Sequence, residues 1–135
     1  RQDIPEFSEI TEGALAAKVR QLFVYSLHDE NISRFRRMMT IEQFRSPELA
    51  ALYSERYVSR VVDYHTAIFR SLTAAGELKD ENPHELALMY VAPVITLLGV
   101  CDRQPEREDE CLAALDAHVR LFFRTFNISA SGGGK

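Results

Sequence analysis

The hydrophobic positions of this chain predict an all-helical fold whose last two helices meet a partner. The run from Leu86 to Cys101, LALMYVAPVITLLGVC, carries no charge and is apolar on every side of a helix. A helix of that kind is buried all round, and the core of a small chain covers only one of its faces. The next helical stretch, Glu108 to Phe126, is amphipathic. Two such helices per subunit predict a four-helix interface in a homodimer.

A set of apolar residues from these two stretches is expected at the dimer interface. They are Leu86, Val94, Leu97, Cys101, Leu112, Leu115, Val119, Phe122 and Phe126.

Three further helices are predicted ahead of this pair. Apolar residues recur at helical spacing from Thr11 to His28, and a shorter pattern runs from Ile32 to Phe44. Ser46, followed by proline and glutamate, is a strong helix start, because serine caps the first turn and proline fits its first position. The pattern then runs from Pro47 to Ala75, about 40 Å at 1.5 Å per residue, and Gly76 supplies the stop.

The same helix-start signal, a capping side chain followed by proline, recurs at Asn82-Pro83, ahead of the apolar run. Pro93 lies inside that run, where its missing N–H predicts a kink. No alternation of period two and no Asn-Gly or Asp-Gly hairpin signal stands out. The predicted fold is therefore an antiparallel bundle of about five helices.

Composition and charge indicate one cytoplasmic domain that does not hold nucleic acid by itself. The 135 residues carry a formal net charge of −4, whereas phosphate binding needs a clustered basic face. The best cluster, Arg34, Arg36 and Arg37, is expected to be a solvated face, or to point one arginine inward at an anionic ligand or an adjoining domain. No signal peptide is recognisable, and the apolar run is shorter than a membrane span of roughly 20 residues.

Two cysteines, Cys101 and Cys111, form neither a disulfide framework nor a metal motif. Reduced thiols are the simplest interpretation, although the two residues flank a predicted turn between helices and a bridge is geometrically conceivable.

The side chains that carry catalysis are sparse. There is no Gly-rich phosphate loop within the helical region, and the four histidines do not share ligand spacing, so no metal and no cofactor is expected. Asp63, Tyr64 and His65 are the only local polar cluster, but residues two apart on a helix point in different directions. The chain is therefore not expected to be an enzyme.

The best candidates for ligand contact lie on the long helix. Tyr57, Tyr64 and His65 place polar tips on an otherwise apolar face, which suits a cavity that holds an apolar or aromatic molecule. The alternative is that these are core residues with satisfied hydrogen bonds. Met38, Met39 and Met89 are open to the same two interpretations.

Three segments resemble TetR-type transcriptional regulators in their order and lengths. RRMMTIEQFRSPELAALYSERYVSRV (Arg36–Val61) resembles the passage from a short arginine-rich helix through a Pro-Glu-Leu turn into a long helix. GELKDENPHELALMYVAPVITLL (Gly76–Leu98) is similar to the family's glycine turn, polar linker and proline-containing apolar helix. HVRLFFRTFN resembles the closing helix. The likeness covers about Thr11 to Asn127.

The resemblance implies the effector-binding and dimerisation half of a repressor. Residues 1–10 would belong to a linker or to a missing helix-turn-helix domain, 11–128 would be the regulatory domain, and 129–135 a flexible tail. Effector binding would release DNA held only through the missing domain, with no membrane involved. The effector, a small hydrophobic or aromatic molecule, would lie ahead of the dimer bundle, against Phe35, Met38, Tyr57, Val61, Tyr64, His65, Phe69, Met89 and Tyr90.

A dimeric all-α interaction or scaffold domain without a ligand is the alternative. It predicts no cavity beneath Tyr64 and His65.

Overall fold

Residues 12–127 of the computed structural model form a bundle of five helices. Helix α1 is Glu12–His28, α2 is Glu30–Glu42, α4 is Pro83–Arg103 and α5 is Glu108–Phe126. Helix α3 consists of three consecutive segments, Pro47–Ser54, Glu55–Ser59 and Arg60–Ala74. A short 3-10 turn, Pro105–Arg107, joins α4 to α5. The all-α prediction is confirmed. The expected linker at 1–10 and tail at 129–135 lie outside the described residues.

Side-chain caps set where three of the helices begin. The Asp29 carboxylate accepts a hydrogen bond from the Ile32 amide at 2.9 Å, so α2 begins two residues earlier than predicted. The Ser46 hydroxyl accepts from the Leu49 amide at 3.1 Å, and Asn82 accepts from the first amides of α4. Each cap satisfies an amide that has no partner inside its helix.

The long helix ends where the sequence predicted. Gly76 has a φ of +81°, in the left-handed region that favours glycine. The chain then turns back, and the Lys79 amide donates to the Phe126 carbonyl at 2.8 Å beside an isolated bridge between Leu78 and Asn127. This contact ties the turn after α3 to the end of α5.

The core lies where α3, α4 and α5 meet. Tyr90 of α4 is fully buried, with its ring centroid 5.3 Å from that of Phe69 on α3 and 5.0 Å from that of Phe122 on α5. Phe123 closes the cluster, 5.3 Å from Phe122. Burial of these rings is a large part of the hydrophobic driving force for the fold.

The structure places most of the expected interface residues inside a single chain. Six of the nine are less than 9% exposed before any partner is added: Leu86, Cys101, Leu112, Leu115, Val119 and Phe122. The other three, Val94, Leu97 and Phe126, are half-buried against the same core. Their side of α4 packs on α3, and their side of α5 packs on α4 and α1, so these residues belong to the subunit core.

The opposite side of α4 faces solvent and is also apolar, whereas the solvent side of α5 carries apolar residues together with Arg120 and Arg124. Leu88 and Met89 of α4 are 47% and 55% exposed, and Leu121 of α5 is 53% exposed. Exposed small residues continue both stripes: Ala92 and Thr96 on α4, and Ala113, Ala114 and Ala117 on α5. Helix α4 is long and apolar enough to cross a membrane by length and composition, a test that core helices also pass.

The two cysteines are free thiols on either side of the α4–α5 turn. Cys101 and Cys111 are both buried. Burial, together with the neighbouring Cys111 thiol, raises the pKa of Cys101 to about 12. The Cys101 thiol is therefore protonated, and so unreactive, at neutral pH.

One buried ion pair holds three helices together. Arg36, which the sequence placed on a solvated face, is 5% exposed and donates two hydrogen bonds of 2.7 Å to the carboxylate of Asp102 on α4. A third, at 3.0 Å, goes to the Ser26 carbonyl on α1. The open alternative of an inward-pointing arginine therefore holds, but its partner is a carboxylate of the chain itself.

Removing the acid from this pair should destabilise the chain strongly. Asp102→Asn leaves the Arg36 charge buried without a counterion, so we expect a loss of about 3–5 kcal/mol in the free energy of unfolding, measured by urea denaturation. Asp116→Asn is the matched control, because its pair with Arg20 is exposed at both ends and should cost at most about 1 kcal/mol.

The double variant Arg36→Met/Asp102→Leu should recover much of the loss, since no unpaired charge remains. Equal losses in Asp102→Asn and Asp116→Asn would contradict the role given to this pair.

Candidate functional site

A cavity of about 760 Å³ opens between the first four helices. Its walls are apolar, with a few polar tips. They are formed by Ala14, Leu15, Lys18, Val19, Leu22, Phe23 and Ser26 of α1, Ile32 and Arg36 of α2, Tyr57, Val61, Tyr64, His65 and Ile68 of α3, and Tyr90, Val91, Val94, Ile95 and Leu98 of α4. Concave, mostly apolar sites with a few convergent polar groups are typical of small-molecule binding.

The structure brings five of the nine predicted ligand residues to this cavity. They are Tyr57, Val61, Tyr64, His65 and Tyr90.

The other four predicted ligand residues lie elsewhere. Met38 and Met89 are 46% and 55% exposed, away from the cavity walls. Phe35 lies on the surface, where the central carbon of the Arg56 guanidinium is 5.1 Å from the centroid of the Phe35 ring. Phe69 is fully buried in the aromatic core behind His65. Ligand contact by these four has no geometric support in this conformation.

Sequence reasoning missed the contribution of α1. Leu15, Val19, Leu22 and Phe23 were recognised as one apolar face of a helix, but not as the wall of a pocket. Leu22 is 45% exposed, and this partly open apolar position borders the cavity. Apolar periodicity predicts which face turns inward, but it does not distinguish close packing from a cavity wall.

A π turn places Tyr57 at the cavity. The Arg60 amide donates to the Glu55 carbonyl, five residues back, within the segment Glu55–Ser59. Such turns insert one extra residue into an α-helix and are frequent at functional sites. No proline or glycine marks the segment, so the sequence carries no signal for it.

His65 presents a free ring nitrogen beside the cavity. Its Nδ1 lies 3.0 Å from the Val61 carbonyl, which can only accept, so Nδ1 carries the proton. In the neutral ring, Nε2 is then a hydrogen-bond acceptor. Burial lowers the pKa of His65, and the hydrogen bond to Val61 only partly opposes this effect. The neutral form with a vacant acceptor is the one expected at pH 7.

Tyr90 carries a buried hydroxyl that has no hydrogen-bond partner. Its ring is held by the rings of Phe69, Phe122 and His65, and His118 Nε2 donates to its backbone carbonyl at 2.8 Å. Burial raises the pKa of Tyr90, so the phenol is neutral. An unsatisfied buried hydroxyl costs about 1–3 kcal/mol, which makes it a position that a ligand can satisfy.

A second, smaller cavity of about 270 Å³ adjoins the first. The two share Arg36, Tyr57, Ile95 and Leu98. The Arg36 guanidinium, which borders both cavities, is held in place by Asp102 and Ser26.

The polar cluster proposed for catalysis does not assemble among residues 12–127. Asp63 is exposed, and His65 binds the Val61 carbonyl through Nδ1. Within the same range, no group of three or more His, Cys, Asp or Glu side chains is placed to hold a metal ion.

Comparison with known proteins identifies a family for this chain. A family model described as AefR-like transcriptional repressor, C-terminal domain, matches residues 14–127. That range covers more than four-fifths of the chain and includes every residue that lines the cavity. No curated protein and no solved structure matches the sequence significantly. The resemblance to TetR-type regulators is confirmed.

Acid should weaken the fold through His65. Its pKa is lowered in the folded chain relative to the ordinary value of 6.5, so the unfolded chain binds the proton more readily. The stability that the fold gains from keeping His65 neutral is fully present above pH 6.5. It is lost as the pH falls from 6.5 through the folded-state pKa of His65.

We therefore expect the free energy of unfolding to fall more steeply between about pH 7.5 and pH 5.5 in the wild type than in His65→Asn. Asparagine retains a donor for the Val61 carbonyl but cannot titrate. Thermal melts at the two pH values measure the difference, and parallel losses in both chains would show that His65 is not responsible.

Proposed function

Because the chain belongs to the TetR family as an AefR-like repressor C-terminal domain, we propose that it binds a small apolar or aromatic effector in the α1–α4 cavity and dimerises through α4 and α5. The observation that carries the proposal is the position of α4. One side of this helix lines the cavity with Tyr90, Val91 and Val94, and the opposite side exposes Leu88 and Met89. A ligand and a second subunit would thus contact the same rigid element.

Dimerisation would cover the apolar stripes that a single chain leaves open. The exposed side of α4 carries no charge from Leu86 to Val100, and α5 presents three alanines and Leu121 together with Arg120 and Arg124. Small residues let two helices approach closely, and burial of the large apolar ones supplies the driving force. This interface replaces the residues expected from sequence with those on the opposite side of the same two helices.

Effector binding would act on DNA through α1. In TetR-type regulators the DNA-binding domain precedes the regulatory domain, so α1 is the first regulatory helix that such a domain would meet. Both α1 and α4 line the cavity, and a ligand that fixes their spacing there would change the separation of two DNA-reading domains in a dimer. The change in DNA affinity is limited by the difference in effector affinity between the two states.

A dimeric interaction domain without a ligand is the second candidate. The exposed sides of α4 and α5 fit it equally well. The cavity favours the effector-binding function, since a scaffold has no use for a void beside an unsatisfied tyrosine hydroxyl.

Filling the cavity tests effector binding. We expect at least one of 4-hexylphenol, decanol and decanoate to raise the stability of the wild type by about 2.7 kcal/mol at 100 times its Kd. Val61→Trp places an indole in the cavity and should abolish this gain. Val58→Trp is the control, because Val58 lies one turn away on the solvent side of α3.

Thermal melts with and without each compound measure the effect. A gain that survives Val61→Trp would place binding outside the cavity, and no gain from any of the three in the wild type would count against effector binding.

Charging the exposed side of α4 and α5 tests the dimer. Ala92→Arg and Ala117→Arg should each convert a dimer into a monomer of 15.4 kDa, because the interface would have to bury two unpaired guanidinium groups related by the twofold axis. Light scattering after gel filtration measures the mass. Ala51→Arg, on an exposed part of α3, should remain dimeric. Dimeric Ala92→Arg and Ala117→Arg would show that the subunits meet elsewhere.

A further inference from the structure

Two polar side chains at the α3–α4 wall of the cavity complement each other. The Tyr90 hydroxyl is buried and makes no hydrogen bond. The ring of His65 packs against the ring of Tyr90, with 5.3 Å between the ring centroids. A side chain with a hydroxyl that can donate and a side chain with a ring nitrogen that can accept therefore lie side by side, and both line the cavity.

The His65 nitrogen is an acceptor for a structural reason. Its Nδ1 proton is engaged by the Val61 carbonyl one turn back in α3, so the lone pair is on Nε2. Because the hydrogen bond to Val61 is local to the helix, the tautomer is set before any ligand arrives.

Charge at the cavity narrows the ligand further. Among residues 12–127, no aspartate or glutamate lines the cavity, so a cationic ligand would find no counterion in this part of the wall. The charged lining residues within the same range are Lys18 and Arg36. Lys18 is on the exposed side of α1, and Arg36 is committed to Asp102. The wall formed by His65 and Tyr90 therefore favours a neutral ligand group.

We propose that the effector is a neutral phenol, an aromatic molecule whose hydroxyl donates to His65 Nε2 and accepts from the Tyr90 hydroxyl while its apolar body fills the cavity. A hydroxyl is the neutral group that satisfies both atoms at once. An ether or ketone oxygen would accept from Tyr90 and leave His65 Nε2 unpaired. This specificity rests on the proposed effector function and adds to it the chemistry of the ligand.

The rings around the cavity favour an aromatic alcohol over an aliphatic one. Phe23, Tyr57 and Tyr64 line it together with His65 and Tyr90. Aromatic rings pack favourably edge to face or offset, beyond the area they bury. A phenol hydroxyl is also the more acidic donor, which suits a neutral imidazole acceptor.

Calorimetric titration of the chain with matched ligands tests the proposal. The probes are 4-hexylphenol, its methyl ether 4-hexylanisole, decanol and decanoate. We expect the phenol to bind about tenfold or more tightly than the ether, because the ether cannot donate to His65. Tyr90→Phe and His65→Asn should each remove most of that preference. Tyr25→Phe is the matched control, because Tyr25 is 55% exposed and does not line the cavity.

A second measurement separates ligand recognition from a structural role for Tyr90. Without ligand, Tyr90→Phe should raise the melting temperature, because it removes an unpartnered buried hydroxyl and leaves the ring in place. The same variant should bind the phenol more weakly. A lowered melting temperature would show that the hydroxyl has a structural partner, and would overturn the proposal.

The outcomes distinguish this proposal from the function on which it rests. Equal binding of phenol and ether, or tighter binding of decanol or decanoate, would overturn the phenol assignment and leave effector binding standing. Absence of binding by all four probes would overturn both. A phenol preference that persists in both Tyr90→Phe and His65→Asn would place the hydroxyl elsewhere and overturn the recognition described here.

Discussion

Helix α4 has too much apolar surface for one chain to cover, and the arrangement of the domain follows from this constraint. Its inner side supplies Leu86 and Tyr90 to the core and Val91 to the cavity wall. Its outer side leaves Leu88 and Met89 in solvent. Since an apolar helix is stable only when covered all round, α4 connects the cavity with the surface proposed for the second subunit. Any change at the cavity that moves α4 is transmitted to that surface without an intermediate.

Buried polar groups of the domain differ in how far the chain itself satisfies them. Arg36 uses three of its N–H groups on Asp102 and Ser26, which makes the junction of α1, α2 and α4 rigid. The Tyr90 hydroxyl is buried without a partner, and the ring of His65 packs beside the Tyr90 ring. Unsatisfied buried groups are rare in folded proteins, and they are frequent at functional sites. The contrast distinguishes the rigid junction around Arg36 from the wall that we propose for ligand recognition.

Local rules predicted much of this fold correctly. Ser46 and Asn82 mark helix starts because their side chains accept from amides within the next three residues. Gly76 marks a helix end because its backbone conformation excludes most other residues. The spacing of Tyr57, Val61 and Tyr64 placed the three residues on one side of α3, and all three line the cavity. Each of these features depends on residues close in sequence.

Contacts between distant residues decided the rest. Leu115 and Leu88 are both apolar residues on the last two helices, yet the first is buried in the chain's own core and the second faces solvent. Periodicity shows that a helix has an apolar side, but only packing shows whether that side meets its own chain, a cavity or a partner. Likewise, the sequence predicts Arg36 as a surface charge, because only the folded chain brings Asp102, which is distant in sequence, against it. The sequence alone was sufficient for the number and order of the helices, the caps of α3 and α4, and the family. The tertiary structure was needed to assign the core, the cavity and the free surface, because burial depends on all the neighbours together.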